Sequence, residues 1–406
     1  MKNQWKYLSV LMCGLIVSNY SVSQNSIHNQ LQQVLIDTQK KYHISAISLS
    51  ISLPSLKQID LTRGKLIKNG SVEINARDLF QVASLTKTFT AALMLQLEED
   101  GKLNIQEPIG KYLPEYSAWK AITIRQLLNQ TSGIADYIDS TNWGPVLWAD
   151  QAKVWKPSEL IAIAAKLPPY FSPGKGWHYS NTNYVLAGLI IERVTGHSIS
   201  DELRKRFFDH AGFDLKDSYY LPMNYPKFIL SRMVHGYYSN YDQTLQNTSW
   251  LHAAGALIST PHDMVRWDRL MNTGMILKEK QSNEMTDFIS TITGQPQNNL
   301  DEPAYGLSIF RINTPYGLMW FTPGVSTGYR SILVYLPCNN IVLAYSVSEA
   351  HLDGFPFHAD ILSQIISILL KDKNIKKSIH EYQLSPSYPN YCKKNVASDK
   401  FRFPQF

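Results

Sequence analysis

Strand-like patterns occur near the two ends of this 406-residue chain, with a long stretch of different character between them. Near the start, SAISLSISLP from Ser45 to Pro54 alternates polar and apolar residues, which predicts a strand with one buried face, and a second strand is expected after Lys57. After Tyr305 the runs YGLSIFRIN, GYRSILVYLP and NIVLAYSVS are strand-like again, the last two joined at Cys338-Asn339-Asn340. Residues 25–42 and Ala359 to Leu370 read as helices beside these strands, and residues 85–250 are mostly helix and loop. No internal repeat is evident. Strands at both ends with helices between them imply an α+β chain: an antiparallel sheet assembled from both termini, flanked by helices, with a mostly helical insertion.

Composition narrows the function classes. The apolar fraction of 44% is ordinary for a globular protein. The net charge of +6 comes from the ends: +2 lies in residues 1–23 and +5 in residues 371–406, which leaves −1 for the body. A nucleic-acid partner therefore has no support. The basic tail, residues 373–406, is expected to be a solvated end. Residues 1–23 carry Lys2 and Lys6, an apolar run from Tyr7 to Val17, and the small residues Ser21 and Ser23, the pattern of a cleavable secretory signal. The expected location is periplasmic or secreted, after cleavage near Ser23, with no transmembrane segment in the mature chain. Met12 before Cys13 is too bulky for a lipoprotein site. Without Cys13 the chain keeps Cys338 and Cys392, a candidate disulfide in an oxidising compartment. The eleven His show no H-E-x-x-H and no Cys/His ligand spacing, so neither a metal nor a cofactor is expected.

The stretch FQVASLTKTFTAALMLQLEEDGKL, from Phe80 to Leu103, carries chemistry. Phe89, Ala92, Leu93 and Leu97 recur at three- and four-residue steps, the mark of an amphipathic helix, and Gly101 suits its C-cap. A helix beginning near Ser84 places Lys87 one turn on, its amine within reach of the hydroxyl, and puts the serine where free N–H groups favour an oxyanion. The same spacing at Ser117/Lys120 and Ser172/Lys175 precedes no long apolar-periodic helix. Further on, Tyr179-Ser180-Asn181 stands just before a helix with Val185, Leu186, Leu189 and Ile190 on its apolar face. A tyrosine and an amide on one loop suit proton relay and carbonyl binding. Gly324-Val325-Ser326-Thr327-Gly328 spells the G-x-S-x-G elbow, but that elbow needs a following helix and here YRSILVYLP follows.

In order, FQVASLTKTFTAALMLQLEEDGKL, ITIRQLLNQTSGI, YSNTNYVLAGLIIERVTG, AAGALISTPHDM and PGVSTGYRS resemble the penicillin-recognising serine hydrolases, from about Gln30 to Leu370. That group includes D-Ala-D-Ala carboxypeptidases, class C β-lactamases and related esterases. The resemblance implies a β-lactamase/transpeptidase-like fold over residues 24–372, with a sheet-bearing part at about 24–80 and 255–372 and a helical part at about 81–254. It implies Ser84 as nucleophile, Lys87 as proton acceptor, Tyr179 as second acid/base and Asn181 as a substrate-amide contact. A third family motif, Lys or His followed by Ser/Thr and Gly, falls on Thr322-Pro323-Gly324, where Thr322 replaces the cation. The oxyanion hole would come from the N–H groups of Ser84 and Val325. Gln130 also replaces an expected His.

The implied activity is acyl transfer on a peptide, β-lactam or ester carbonyl, with D-Ala-D-Ala stem peptides as the leading substrate and peptidoglycan as a candidate partner. β-Lactamase and small-ester hydrolase are the rivals within the class. A catalytically weak relative that binds cell-wall peptide or a protein partner is the rival outside it, because without a cation at 322 Lys87 is expected to titrate high and turnover to be slow.

Overall fold

The computed structural model describes residues 27–394, except 224, 298 and 353, so the expected signal segment lies outside the described residues. Helix α1 (27–42) leads into β1 (Ala46–Ser52) and β2 (Gln58–Gly64). The helical part carries α2 (Thr86–Glu99) and α3 (Asn181–Thr195), and α4 (Pro261–Asn272) returns the chain to the sheet. Then come β3 (Phe310–Thr314), β4 (Gly317–Val325), β5 (Arg330–Leu336), β6 (Ile341–Val347), α5 (Gly354–Lys371) and α6 (Lys373–Gln383).

The main sheet is antiparallel and eight-stranded, in the order β2-β1-β6-β5-β4-β3 followed by two-residue strands at Ala304–Tyr305 and Ile289–Ser290. The two chain ends meet at β1 and β6, with Ile47 opposite Val347 and Ser52 opposite Val342. Both faces of the sheet are covered, because successive side chains of a strand point to opposite sides. Along β5, Ile332, Val334 and Leu336 pack with Leu31, Leu35, Ile361 and Ile365 of α1 and α5, while Leu333 and Tyr335 join the second core with α2, α3 and α4.

Three expectations need correction. Every residue of β1 is buried, Ser48, Ser50 and Ser52 included, so the strand has two buried faces. Its hydroxyl face is small and polar enough for α4 to lie on it: Arg269 Nε donates to Ser52 Oγ at 2.9 Å. The pattern also missed β4, which contains Pro323. A proline is tolerated there because β3 pairs with β4 only as far as Phe321, so no ladder bond from residue 323 is lost on that side. Finally, the first part of the tail is not a solvated end. Ile375 and Ile379 of α6 are buried at an i, i+4 spacing, and a disulfide joins Cys338, after β5, to Cys392, with Cα atoms 5.4 Å apart. The Lys residues of α6 lie on its outer side, so charge composition alone hid the apolar stripe.

Among the described residues no helix is long and apolar enough to cross a membrane.

Candidate active site

Ser84 sits in a 3-10 turn, Ala83–Leu85, that runs straight into α2. Ala83 has φ +48°, left-handed for a residue with a Cβ, a conformation that costs about 1–2 kcal/mol and turns the chain sharply before the serine. β4 presses on this turn. A Cβ on Gly324 would lie 2.2 Å from the Val82 carbonyl oxygen, so only glycine lets strand and turn approach so closely.

Lys87, on the first turn of α2, is 1% exposed. Its Nζ donates to Ser84 Oγ at 3.1 Å, to Asn181 Oδ1 at 2.8 Å and to the Ala254 carbonyl at 2.7 Å. Burial pulls its pKa from 10.5 down to about 7, with Asp136 opposing. The expectation of a high-titrating Lys87 is thereby overturned: enclosure by protein supplies the shift that a neighbouring cation was thought to supply. Tyr179 also donates to Ser84 Oγ, at 2.9 Å. Burial first, then Tyr305, hold its hydroxyl well above the usual phenol range, so at neutral pH Tyr179 is a proton donor and not a phenolate.

Asn181, the first residue of α3, receives Lys87 on its oxygen, and its Nδ2 donates to Asp136 Oδ2 at 2.8 Å. The same carboxylate oxygen accepts the Asn181 backbone N–H at 2.8 Å. Asp136 is 2% exposed, and burial raises its pKa to about 6. Spacing gave no hint of this residue, which lies 45 positions from Asn181. Gln130 is buried, and its Oε1 accepts from the Ser180 N–H and from Asn183 Nδ2, fixing the Tyr179–Asn181 loop.

The third motif divides by strand parity. Val325 lines the cleft beside Ser84 and is 44% exposed. Ser326 N–H donates to the Tyr329 carbonyl, so the Val325/Arg330 pair occupies a non-hydrogen-bonded position and the Val325 N–H points away from β5, toward the open edge. Thr322 does not enter the cleft. It is buried, and its Oγ1 donates to the Ser308 carbonyl at 3.0 Å, on the face of β4 that it shares with Gly324. Ser326 lines the cleft too, but a bend and then β5 follow it, without the helix a nucleophile elbow requires.

The cleft has a volume of ≈ 690 Å³. Its walls are largely apolar, with Ile138, Trp148, Tyr238, Trp250 and Phe310 lining it together with Pro323 and Val325. These aromatic residues come from separate segments of the chain, and no local pattern announced them. Arg330 and His351 lie among the lining residues.

The family model for Beta-lactamase matches residues 44–364. This chain belongs to the beta-lactamase family. Penicillin-binding protein 4* of Bacillus subtilis (strain 168) is 37% identical over 143 residues, which are 35% of this chain. The match spans 31% of that relative's length, under a third. Among solved structures, a D-stereospecific amidohydrolase from Streptomyces sp. is 26% identical with TM-score 0.71, covering 84% of this chain and 97% of its own. A D-amino acid amidase from Ochrobactrum anthropi SV3, complexed with L-phenylalanine, is 25% identical with TM-score 0.74, covering 86% of this beta-lactamase-family chain and 99% of its own.

Proposed function

We propose that this chain is a serine hydrolase and forms an acyl-enzyme at Ser84 with the carbonyl of a small peptide or amide of D-amino-acid type. The observation that carries the reading is the buried Lys87 amine, with its pKa near 7, at 3.1 Å from Ser84 Oγ. A neutral Lys87 takes the hydroxyl proton as Oγ attacks, and the backbone N–H groups of Ser84 and Val325 receive the oxyanion. Collapse expels the leaving group, to which Tyr179 gives its proton, Lys87 in turn reprotonating the phenol. Water then cleaves the ester by the same steps in reverse order of proton flow. Asp136 holds Asn181, and Asn181 holds Lys87, so these two position the base.

The aromatic cleft supports an apolar or aromatic acyl side chain, and the solved structures with which the chain shares its fold and about a quarter of its sequence are by name a D-stereospecific amidohydrolase and a D-amino acid amidase. Arg330 in the cleft lining favours a second reading, a D-Ala-D-Ala carboxypeptidase that binds a C-terminal carboxylate. The disulfide supports export to an oxidising compartment, where cell-wall peptides would be accessible. Labelling with a fluorophosphonate or fluorescent penicillin tests the core of the proposal: wild type is expected to carry one adduct and Ser84→Ala none. Absence of an adduct with both probes would turn the reading toward a binding protein. Turnover of D-phenylalanine amide, a D-Ala-D-Ala peptide, nitrocefin and p-nitrophenyl acetate then ranks the substrates, with the amide expected first.

A further inference from the structure

A larger cavity, ≈ 990 Å³, lies against the face of β4 that carries Trp320 and Thr322, and Thr88 of α2 reaches it. It is bounded by α4, the helix Glu279–Met285 and β4–β5, and the C-terminal segment with Tyr382 and Tyr391 runs over it. The disulfide at Cys392 ties that covering segment to the end of β5. Its volume is at the upper end of what small-molecule sites enclose, about 300–1,000 Å³.

Asp268 of α4 lines this space. Protein surrounds it closely enough that burial raises its pKa to about 7, yet part of its surface remains open, and that surface faces the cavity. Its carboxylate receives one side-chain hydrogen bond, from Asn272 Nδ2 at 2.7 Å. Arg269 is next to it in sequence but directs its guanidinium elsewhere: Nε and both terminal nitrogens donate to Ser52, Leu53 and Asn340. Arg269 and Glu279 are the other charged residues in the lining, and the Arg269 charge acts on Asp268 from beside it. Three aromatic rings complete the enclosure, Trp320 lying 5.7 Å from Tyr335 and 6.0 Å from Tyr391 between centroids. A carboxylate without a close ion-pair partner, in one cavity with three aromatic rings, is the chemistry that recognises an ammonium group.

We propose that this cavity binds a small organic cation, with its ammonium between the Asp268 carboxylate and the rings of Trp320, Tyr335 and Tyr391. The site is separate from the catalytic cleft and does not depend on the reading of Ser84. β4 joins the two, with Trp320 lining the cavity and Pro323 and Val325 lining the cleft.

Calorimetric titration of the full, oxidised chain with choline tests the site, with 3,3-dimethylbutan-1-ol as its uncharged isostere. Saturable choline binding is expected, about thirtyfold tighter than the isostere, the equivalent of about 2 kcal/mol for a desolvated ammonium over aromatic rings. Asp268→Asn and, independently, Tyr391→Ala should each weaken choline about tenfold while circular dichroism stays unchanged. Protein blocked at Ser84 by fluorophosphonate should bind choline as wild type does. No saturable binding, equal binding of the isostere, unchanged affinity in both variants, or loss of binding on blocking Ser84 would each overturn the proposal.

Discussion

Asp136→Asn tests whether Lys87 is the base and whether its titration is set where the structure places it. The Asn181 amide bridges the two groups through hydrogen bonds of 2.8 Å on either side. With the roughly 2 Å between amide oxygen and nitrogen, the charges are at most about 8 Å apart, and at an effective dielectric near 20 their attraction is about 2 kcal/mol, or about 1.5 pKa units. Asp136 raises the Lys87 pKa, so its removal lowers it. The reactive lysine is the neutral one. The kcat/KM of a neutral p-nitrophenyl ester should therefore rise with pH through a midpoint near 7 in wild type, and through one about 1.5 units lower in Asp136→Asn. Because Asp136 itself titrates near 6, the wild-type midpoint belongs to the coupled pair. Asparagine keeps an oxygen that can accept from Asn181, so the fold should survive. A midpoint that stays in place or moves upward would refute both the assignment of Lys87 and the electrostatic account of its environment.

Four further outcomes are expected. The Lys87 pKa lies below its unfolded value, so between pH 7 and about 10.5 the unfolded chain holds a proton that the folded chain has lost; wild type should gain up to about 4–5 kcal/mol over Lys87→Met across that window, read from urea unfolding at its two ends. Gly324→Ala should lose at least about 100-fold in kcat/KM, since its Cβ meets the Val82 carbonyl and pushes β4 off the serine turn. Thr322→Lys should lower the melting temperature, because residue 322 is buried and its hydroxyl is committed to the Ser308 carbonyl. Reducing the Cys338–Cys392 bond, which closes a loop of 54 residues, should cost up to about 4 kcal/mol, and thiol counting on denatured protein lacking residues 1–23 should give no free thiol before reduction and two after it.

Local spacing revealed what depends on local geometry. Ser84 and Lys87 are one helical turn apart, and the turn that joins them is a matter of i, i+3 neighbours. Tyr179 needed a loop set just before a helix, together with the order of several motifs along the chain. Asp136 was not legible, because its partner lies on another helix and a buried carboxylate looks in sequence like an exposed one. Thr322 shows a different limit. The segment around it carries no strand-like alternation, and which face of a strand meets substrate is settled by what packs on the other. The same ambiguity hid the second buried face of β1, where alternating serines read as solvent-facing although they lie under α4. In α6 two isoleucines decided the packing of a segment whose overall charge pointed to water.

The pairing of β1 with β6 also governs when this protein can come into being. Ile47 and its partner Val347 emerge from a ribosome or an export channel 300 residues apart, and until the later one arrives the β1–β2 hairpin presents a bare edge. Contacts of such sequence separation close slowly, so the half-delivered chain is the state most open to aggregation and most in need of a chaperone. The serine turn meets a parallel constraint, for it is seated against Gly324, which is delivered 240 residues after Ser84. A nascent chain thus carries its reactive hydroxyl for most of its synthesis without the strand that would complete the site, and acylating power should appear only once β4 has docked.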